Sequence, residues 1–296
     1  MNKRILITGA TGQLGRSAVE ELQQYFEILS TARHIPAETL TTCPVVEMDI
    51  RNKTIVQQVV SKYEPDVLIH LAAMTDVDGC ERKREEAWQI NVKGTEHLLE
   101  SIAANDTRII FLSTDYLFDG TQGPYREDAK PSPINYYGKT KLAAENAIRG
   151  GRNPWVILRT NVLYGAGESS ASFVRWVNES LSVGKEIRVV DDQMGNPTWT
   201  GALAEAIKLL IVMNSEGLFH YGGADYLSRY QFALKIADVF DLDTSLIKKI
   251  STLDLKQDAM RPLKGGLITE KIEETIGVRT YKLGYCLRKV KEGVNA

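Results

Sequence analysis

The stretch Arg4-Ile5-Leu6-Ile7-Thr8-Gly9-Ala10-Thr11-Gly12-Gln13-Leu14-Gly15 decides the fold. Its short apolar run, Ile5-Leu6-Ile7, reads as a strand buried on both faces, as in a sheet covered on two sides. The run passes directly into a turn with three glycines. That turn opens an amphipathic segment, residues 13–25, with Leu14, Ala18, Leu22 and Tyr25 on one face. Glycines at such a turn let backbone approach a pyrophosphate, and the helix N-terminus stabilises its charge. The spacing is GxxGxxG rather than GxGxxG, and a tight turn needing positive φ would carry glycines too. Strand, turn and helix in this order make a dinucleotide site the stronger reading.

Working outward, short β-branched runs at 28–31, 45–48, 67–71, 108–113 and 155–159 alternate with helical patterns. Asn52 is placed to cap a helix running through Tyr63; residues 85–104 read as one long helix, and 137–149 as another. The alternation predicts an α/β protein, a Rossmann-like doubly wound parallel sheet, with ligands beyond the carboxyl ends of its strands. After about Gly165 the rhythm changes. Helical segments at 173–183 and 201–213 alternate with short strands such as 187–190, and 192–197 is rich in turns. Two units are therefore expected. Residues 1–165 form a dinucleotide-binding domain and 166–296 a smaller α/β substrate lobe, with a soft boundary across which the chain can return.

The 296 residues are 43% hydrophobic and 25% charged, as in ordinary globular proteins. Thirty-six basic against thirty-eight acidic residues leave a net charge of −2, so no global field recruits nucleic acid or an anionic membrane. No apolar run approaches the roughly eighteen residues of a membrane span, and Ile5-Leu6-Ile7 is too short for a signal peptide. Cys43, Cys80 and Cys286 are scattered without a CxxC pair. This argues against a disulfide framework or structural zinc and for a cytoplasmic protein. No metal ligands are expected.

At the nucleotide end, the second strand runs into Ala32-Arg33-His34 with no carboxylate where one would bind a ribose 2′-hydroxyl. Arg33 suits a 2′-phosphate, which favours NADP(H), with NAD(H) as the alternative. Asp49-Ile50 follows the third strand; Asp49 fits either an adenine amine or a helix cap. Ala72, Ala73 and Met74 end the fourth strand, where small residues suit either a cofactor ribose or packing.

The chemistry concentrates in Tyr137-Gly138-Lys139-Thr140-Lys141. Tyr137 and Lys141, four apart, share a helix face. An ammonium beside a phenol is expected to lower the pKa of the phenol, and Tyr137 could then protonate a carbonyl oxygen as hydride arrives. Ser113-Thr114-Asp115 ends the fifth strand and supplies a second hydroxyl for that oxygen. Tyr285-x-x-x-Lys289 repeats the spacing far from the glycine turn, with no strand-end hydroxyl before it, and is assigned to the surface.

Gly9 to Gly15, Asn91, Ser113-Thr114-Asp115 and Tyr137-x-x-x-Lys141 together resemble an extended short-chain dehydrogenase/reductase. Ser113 to Phe118, Arg159-Thr160-Asn161-Val162-Leu163-Tyr164-Gly165 and Asp192 to Thr198 resemble the dTDP-4-dehydrorhamnose reductase family, nearly to Arg261-Pro262. The resemblance implies hydride delivery to C4 of a 4-keto-6-deoxyhexose on a nucleoside diphosphate. Tyr137 would donate the proton, Lys141 would hold the nicotinamide ribose, and Thr114 would polarise the carbonyl. Gly9, Gly12, Gln13, Leu14 and Gly15 would meet the pyrophosphate, Asp49 and Ile50 the adenine, and Ala72, Ala73 and Met74 the adjacent ribose. Thr114, Asp115, Val162, Asn196 and Arg261 would line the substrate. Val162 departs from the pattern, since the family commonly carries tryptophan there. A homodimer is compatible with the resemblance.

Rival readings share the fold. A 4,6-dehydratase resembles Thr-Asp-Glu where this chain has Thr114-Asp115-Tyr116, and a 4-epimerase usually prefers NAD. The regulatory β subunit of methionine adenosyltransferase resembles the same reductases and acts as a binding partner. His70 and His97 read as structural histidines. Cys80 would be reactive only with a lowered pKa, and residues 81–86 read as a solvated helix start.

Overall fold

The computed structural model describes residues 3–35, 43–165 and 172–294. The first half runs β1 (Arg4–Thr8), α1 (Gln13–Leu22), β2 (Glu27–Ala32), β3 (Val45–Glu47), α2 (Lys53–Tyr63), β4 (Val67–His70), α3 (Val77–Arg82), α4 (Arg84–Trp88), a π-helical turn (Gln89–Lys93), α5 (Gly94–Ile102), β5 (Arg108–Thr114), α6 (Tyr136–Gly150) and β6 (Trp155–Thr160). The second runs β7 (Leu163–Tyr164), α7 (Phe173–Ser182), β8 (Ile187–Val190), β9 (Met194–Gly195), β10 (Thr198–Trp199), α8 (Thr200–Val212), β11 (Gly217–His220), β12 (Leu227–Ser228), α9 (Arg229–Phe240), β13 (Ile247–Ile250), α10 (Thr252–Leu255), α11 (Glu270–Ile276) and α12 (Leu283–Val294).

Seven parallel strands form the main sheet in the order β11-β6-β5-β4-β1-β2-β3, a Rossmann-like arrangement. Side chains alternate across each strand, so both faces need cover. Ile5, Ile7 and Ile69 meet α1 and α8 through Leu14, Ala18, Leu203 and Ile207. Leu6, Leu68 and Phe111 meet α2, α5 and α6 through Val56, Leu98 and Ala144. Each such aliphatic side chain, fully buried, contributes about 1.5–3 kcal/mol. The strand order reverses between β1 and β4, where a doubly wound sheet opens a crevice at its carboxyl edge.

A separate cluster packs α7, α9 and α12 against β8 and β13 through Val177, Ile187, Phe232, Ile236 and Leu287. The expected division at 165–166 adjoins residues 166–171, which lie outside the described residues. Beyond it the chain contributes to both bodies: β11 extends the main sheet beside β6, and α8 packs on α1. Among the described residues no helix is long and apolar enough to cross a membrane.

Three elements differ from expectation. α1 stops at Leu22, so Tyr25 is half exposed instead of on the buried face. The single helix over 85–104 is α4, the π turn and α5 in succession, preceded by a separate α3. Residues 81–86 are not simply solvated: the Glu81 carboxylate accepts from the Tyr136 amide at 2.9 Å, fixing the start of α6.

Candidate active site

The glycine turn is built for close approach. Gly9 has φ +69°, and a Cβ there would lie 2.8 Å from the Ala72 nitrogen. A Cβ on Gly15 would lie 2.3 Å from the Gly9 carbonyl, so α1 begins pressed on the turn itself. Gly12 brings no side chain to cap α1, and no acid lies in the first turn. The Gln13 Nε2 is buried without a hydrogen-bond partner. An uncapped helix start with an orphaned donor fits an anionic ligand such as a pyrophosphate.

Arg33 lies exposed just past β2. Asp49 is gripped by Arg51, whose Nε lies 3.0 Å from each carboxylate oxygen; that contact holds its carboxyl below the usual range, with Arg33 adding to the effect. Asn52, not Asp49, caps α2, its side chain accepting from the Ile55 amide at 3.2 Å. His34 comes within 4.0 Å of Glu47. The Ile50 carbonyl accepts from His97 Nδ1 at 2.9 Å, giving His97 its structural role.

A chain of buried hydrogen bonds joins the turn to α6. The Thr95 hydroxyl donates to the Asn91 carbonyl at 2.8 Å, so it accepts from His70 Nε2 at 3.0 Å. His70 Nδ1 is then the acceptor for the Thr8 hydroxyl at 2.8 Å. Thr8 Oγ1 also accepts from the Leu71 and Ala72 amides, both at 3.2 Å. Burial pushes His70 down to about 3, so it stays neutral. Asn91, in the π turn, accepts from the Met74 amide at 2.7 Å and donates to the Met74 carbonyl at 3.1 Å and the Thr140 hydroxyl at 3.0 Å. The wall formed by Ala72, Ala73 and Met74 is thus fixed from both ends. Asn91 carries this positioning role, which its place in a motif alone did not disclose.

Thr114 and Tyr137 converge beyond this wall. Asn135 caps α6 by accepting from the Gly138 amide at 2.9 Å, and a Cβ on Gly138 would lie 2.2 Å from the Tyr116 carbonyl. This close approach sets the Tyr137 ring edge-on to Tyr116, with centroids 6.0 Å apart. Burial raises the Tyr137 phenol above its ordinary value, while a hydrogen bond with Thr114 acts the other way. The expectation of a phenol lowered by Lys141 is thereby corrected. Lys141 is buried with its Nζ 3.8 Å from the centre of the Phe111 ring, and burial takes its amine down to about 7. Desolvation dominates both groups. One turn further on, Glu145 is held by Arg159 at 2.9 and 2.8 Å.

The remaining candidates separate. Asp115 and Val162 line one pocket with Tyr116, Arg229, Pro262 and Gly265. Burial pushes Asp115 up to about 6. The Asn196 side chain is taken up within the fold, donating to the Leu267 carbonyl at 3.0 Å and accepting from the Leu267 amide and Asn161, so it positions the backbone around Leu267. Arg261 grips Asp78 with two hydrogen bonds, 3.1 and 2.7 Å. Arg229 and Arg51 escaped the sequence reading, because a cation after a serine or in a turn looks like ordinary surface. Tyr285 is exposed and stacks on Tyr281. Cys80 is buried and its thiol is pushed up to about 12, the opposite of activation.

The chain matches the RmlD substrate binding domain model over residues 3–292. A dTDP-4-dehydrorhamnose reductase of Aggregatibacter actinomycetemcomitans is 31% identical, covering 97% of this chain and 98% of that protein. The methionine adenosyltransferase 2 subunit beta of Pongo abelii is 32% identical, covering 96% of this chain and 86% of that protein. A Bacillus anthracis dTDP-4-dehydrorhamnose reductase, solved in complex with NADP, superposes with a TM-score of 0.90 at 30% identity, covering 99% of each chain.

Proposed function

Because the chain belongs to the RmlD substrate binding domain family, we propose that it is an NADPH-dependent reductase of the C4 carbonyl in a 4-keto-6-deoxyhexose carried on a nucleoside diphosphate. The observation that carries this reading is the convergence of Thr114, Tyr137 and Lys141 beside a glycine turn at the carboxyl edge of one sheet.

The cofactor would supply hydride. The uncapped start of α1, with Gly12, Gln13 and Leu14, would hold its pyrophosphate, and Ala72, Ala73 and Met74 would form the wall beside its ribose. Arg33 would meet a 2′-phosphate, since Arg51 rather than Arg33 holds Asp49. Tyr137, kept protonated by burial, would give its proton to the carbonyl oxygen as the hydride arrives at carbon. Thr114 would donate to the same oxygen. Lys141, anchored in α6, would hold the nicotinamide ribose.

The test is NADPH oxidation against dTDP-, UDP- and GDP-linked 4-keto-6-deoxyhexoses. Tyr137→Phe keeps the ring and removes the proton, so turnover should fall by ~10²-fold or more with NADPH affinity nearly unchanged. Near-normal turnover would remove Tyr137 from the mechanism. A second reading, a binding subunit without turnover, draws on the 32% identity to the methionine adenosyltransferase 2 subunit beta. Nucleotide binding without oxidation of NADPH on any member of the panel would favour it.

A further inference from the structure

Behind Tyr137 and Lys141, α6 carries a further buried ionisable group, Glu145, four residues beyond Lys141. Side chains so spaced are neighbours on one helix face. Glu145 is seated from β6. Arg159, itself buried, places Nε 2.9 Å from Oε1 and Nη2 2.8 Å from Oε2. Its remaining arm donates to His220 Nε2 at 3.4 Å, and His220 Nδ1 donates to the Tyr125 carbonyl at 3.1 Å. The Phe118 ring lies 5.4 Å from the same guanidinium. Arg149 donates to Glu145 Oε2 at 3.1 Å from the more exposed side. Burial works against the charge on Glu145, yet the bonds from Arg159 outweigh it and hold the carboxyl below its usual range. Lys141 has fewer partners. Its Nζ rests on the Phe111 ring of β5, and among the described residues Glu145 is the only anion that acts on it. The other titratable groups beside it carry no charge: burial keeps Tyr137 protonated and His70, from β4, neutral.

We propose that Glu145, seated by Arg159, is a positioning residue for the reduction, the counter-charge that keeps a proton on Lys141. The inference rests on the reductase reading, which puts Lys141 on the nicotinamide ribose. A buried amine sheds its proton unless an anion stands beside it. The protonated form offers three donors and no acceptor, which suits hydroxyl oxygens. A buried ion pair contributes little net stability, because desolvating two charges offsets most of their attraction. One turn from Lys141, the charge of this pair acts on the lysine as well. Two guanidinium groups share the carboxylate, so its pull on Lys141 is moderated and the amine titrates near neutral pH, at about 7.

NMR of the full chain, with lysines labelled with carbon-13 at Cε, tests this without cofactor or turnover. Lys141→Met assigns the resonance, whose pH dependence gives the midpoint. Glu145→Gln keeps the shape and removes the charge. The Lys141 midpoint should fall by about one pH unit or more, the scale of one charge a helical turn away in a partly dry interior. A pair that merely packs predicts the opposite sign, since loosening it would admit water and raise the midpoint toward that of an ordinary lysine. Glu145→Gln also strands Arg159. Where that variant does not fold, Glu145→Gln with Arg159→Met leaves no stranded charge, and the midpoint should still fall, because Arg159 itself does not act measurably on Lys141. A midpoint unchanged or raised in the folded variant would overturn the proposal. NADPH binding supplies the second readout. At pH 7 the variant should bind about threefold to tenfold more weakly than wild type, with the deficit shrinking toward pH 5 as both lysines become charged. A lowered midpoint with a deficit that ignores pH would instead take Lys141 off the cofactor and count against the reductase reading.

Discussion

Lys141 and Asp115 flank the candidate chemistry, and burial drives each toward its neutral form. For Lys141 the amine falls from 10.5 to about 7. Between those values the unfolded chain binds more protons at this position than the folded one, so stability from this group rises with pH across that window. Below about 7 the penalty is fully present. Lys141→Met should therefore stabilise the protein near pH 7, by about 1–3 kcal/mol, the usual cost of burying a polar group poorly paired. The gain should shrink toward pH 10, where the wild-type amine is neutral in the fold. Thermal unfolding of both proteins at pH 7 and 10 reads this directly, and an equal difference at both pH values would mean that Lys141 is not shifted. The presence of Tyr137 and Lys141 on one face was legible from their spacing. The direction of their pKa shifts was not, because burial sets it, and that burial comes from the packed fold, such as the Phe111 ring under Lys141, which lies outside the motif.

At the scale of elements, apolar runs such as Ile5-Leu6-Ile7 announced the central strands, since two covered faces leave no polar positions. β11 went unread. Gly217-Leu218-Phe219-His220 has only two large apolar residues, and it lies at the sheet edge beyond β6. The long helix over 85–104 was legible as helix but not as three pieces, because a π turn changes hydrogen bonding without changing composition. That turn places Asn91 where it can hold Met74 and Thr140 together. Asn91→Ala would leave the part-buried amide of Met74 without its partner and its carbonyl with only the Cys80 thiol. At about 1–3 kcal/mol for an unsatisfied group, the expected loss is about 1–3 kcal/mol, with weaker NADPH binding as the wall over 72–74 relaxes. Denaturant unfolding and NADPH titration of this variant check both parts. A stable variant with normal affinity would show that the wall is held by Thr8 and His70 alone.

For the molecule as a whole, the feature that joins its halves is the segment around Arg261, running from α10 back across the first half. Arg261 grips Asp78 in α3, and the Ala259 amide donates to the same carboxylate at 2.9 Å. Asn135 donates to the Met260 carbonyl at 2.9 Å, Lys264 to the Gly120 carbonyl at 2.8 Å, and Ile268 to the Tyr125 carbonyl at 2.8 Å. The segment also carries Pro262 and Gly265, two walls of the pocket that holds Asp115 and Arg229. Arg261, which the resemblance placed at the substrate, makes this clamp and through it an indirect hold on the pocket. Asp78→Asn keeps the shape of the side chain but leaves the guanidinium, only 9% exposed, without its counter-charge. Removing one partner of such a pair typically costs more than the pair contributes, here about 1–3 kcal/mol because Asp78 itself retains some solvent contact. The cost should be local. Hydrogen exchange should quicken at the amides of Ala259, Lys264 and Ile268 while the amides of β1 and β4 keep their protection. On the proposed function, sugar-nucleotide affinity should weaken, because Pro262 and Gly265 wall the pocket beside Thr114, while NADPH affinity holds, because the glycine turn and the wall over 72–74 lie outside the segment. Uniformly faster exchange across the main sheet would mean instead that Asp78 supports global stability and that Arg261 does not govern the pocket.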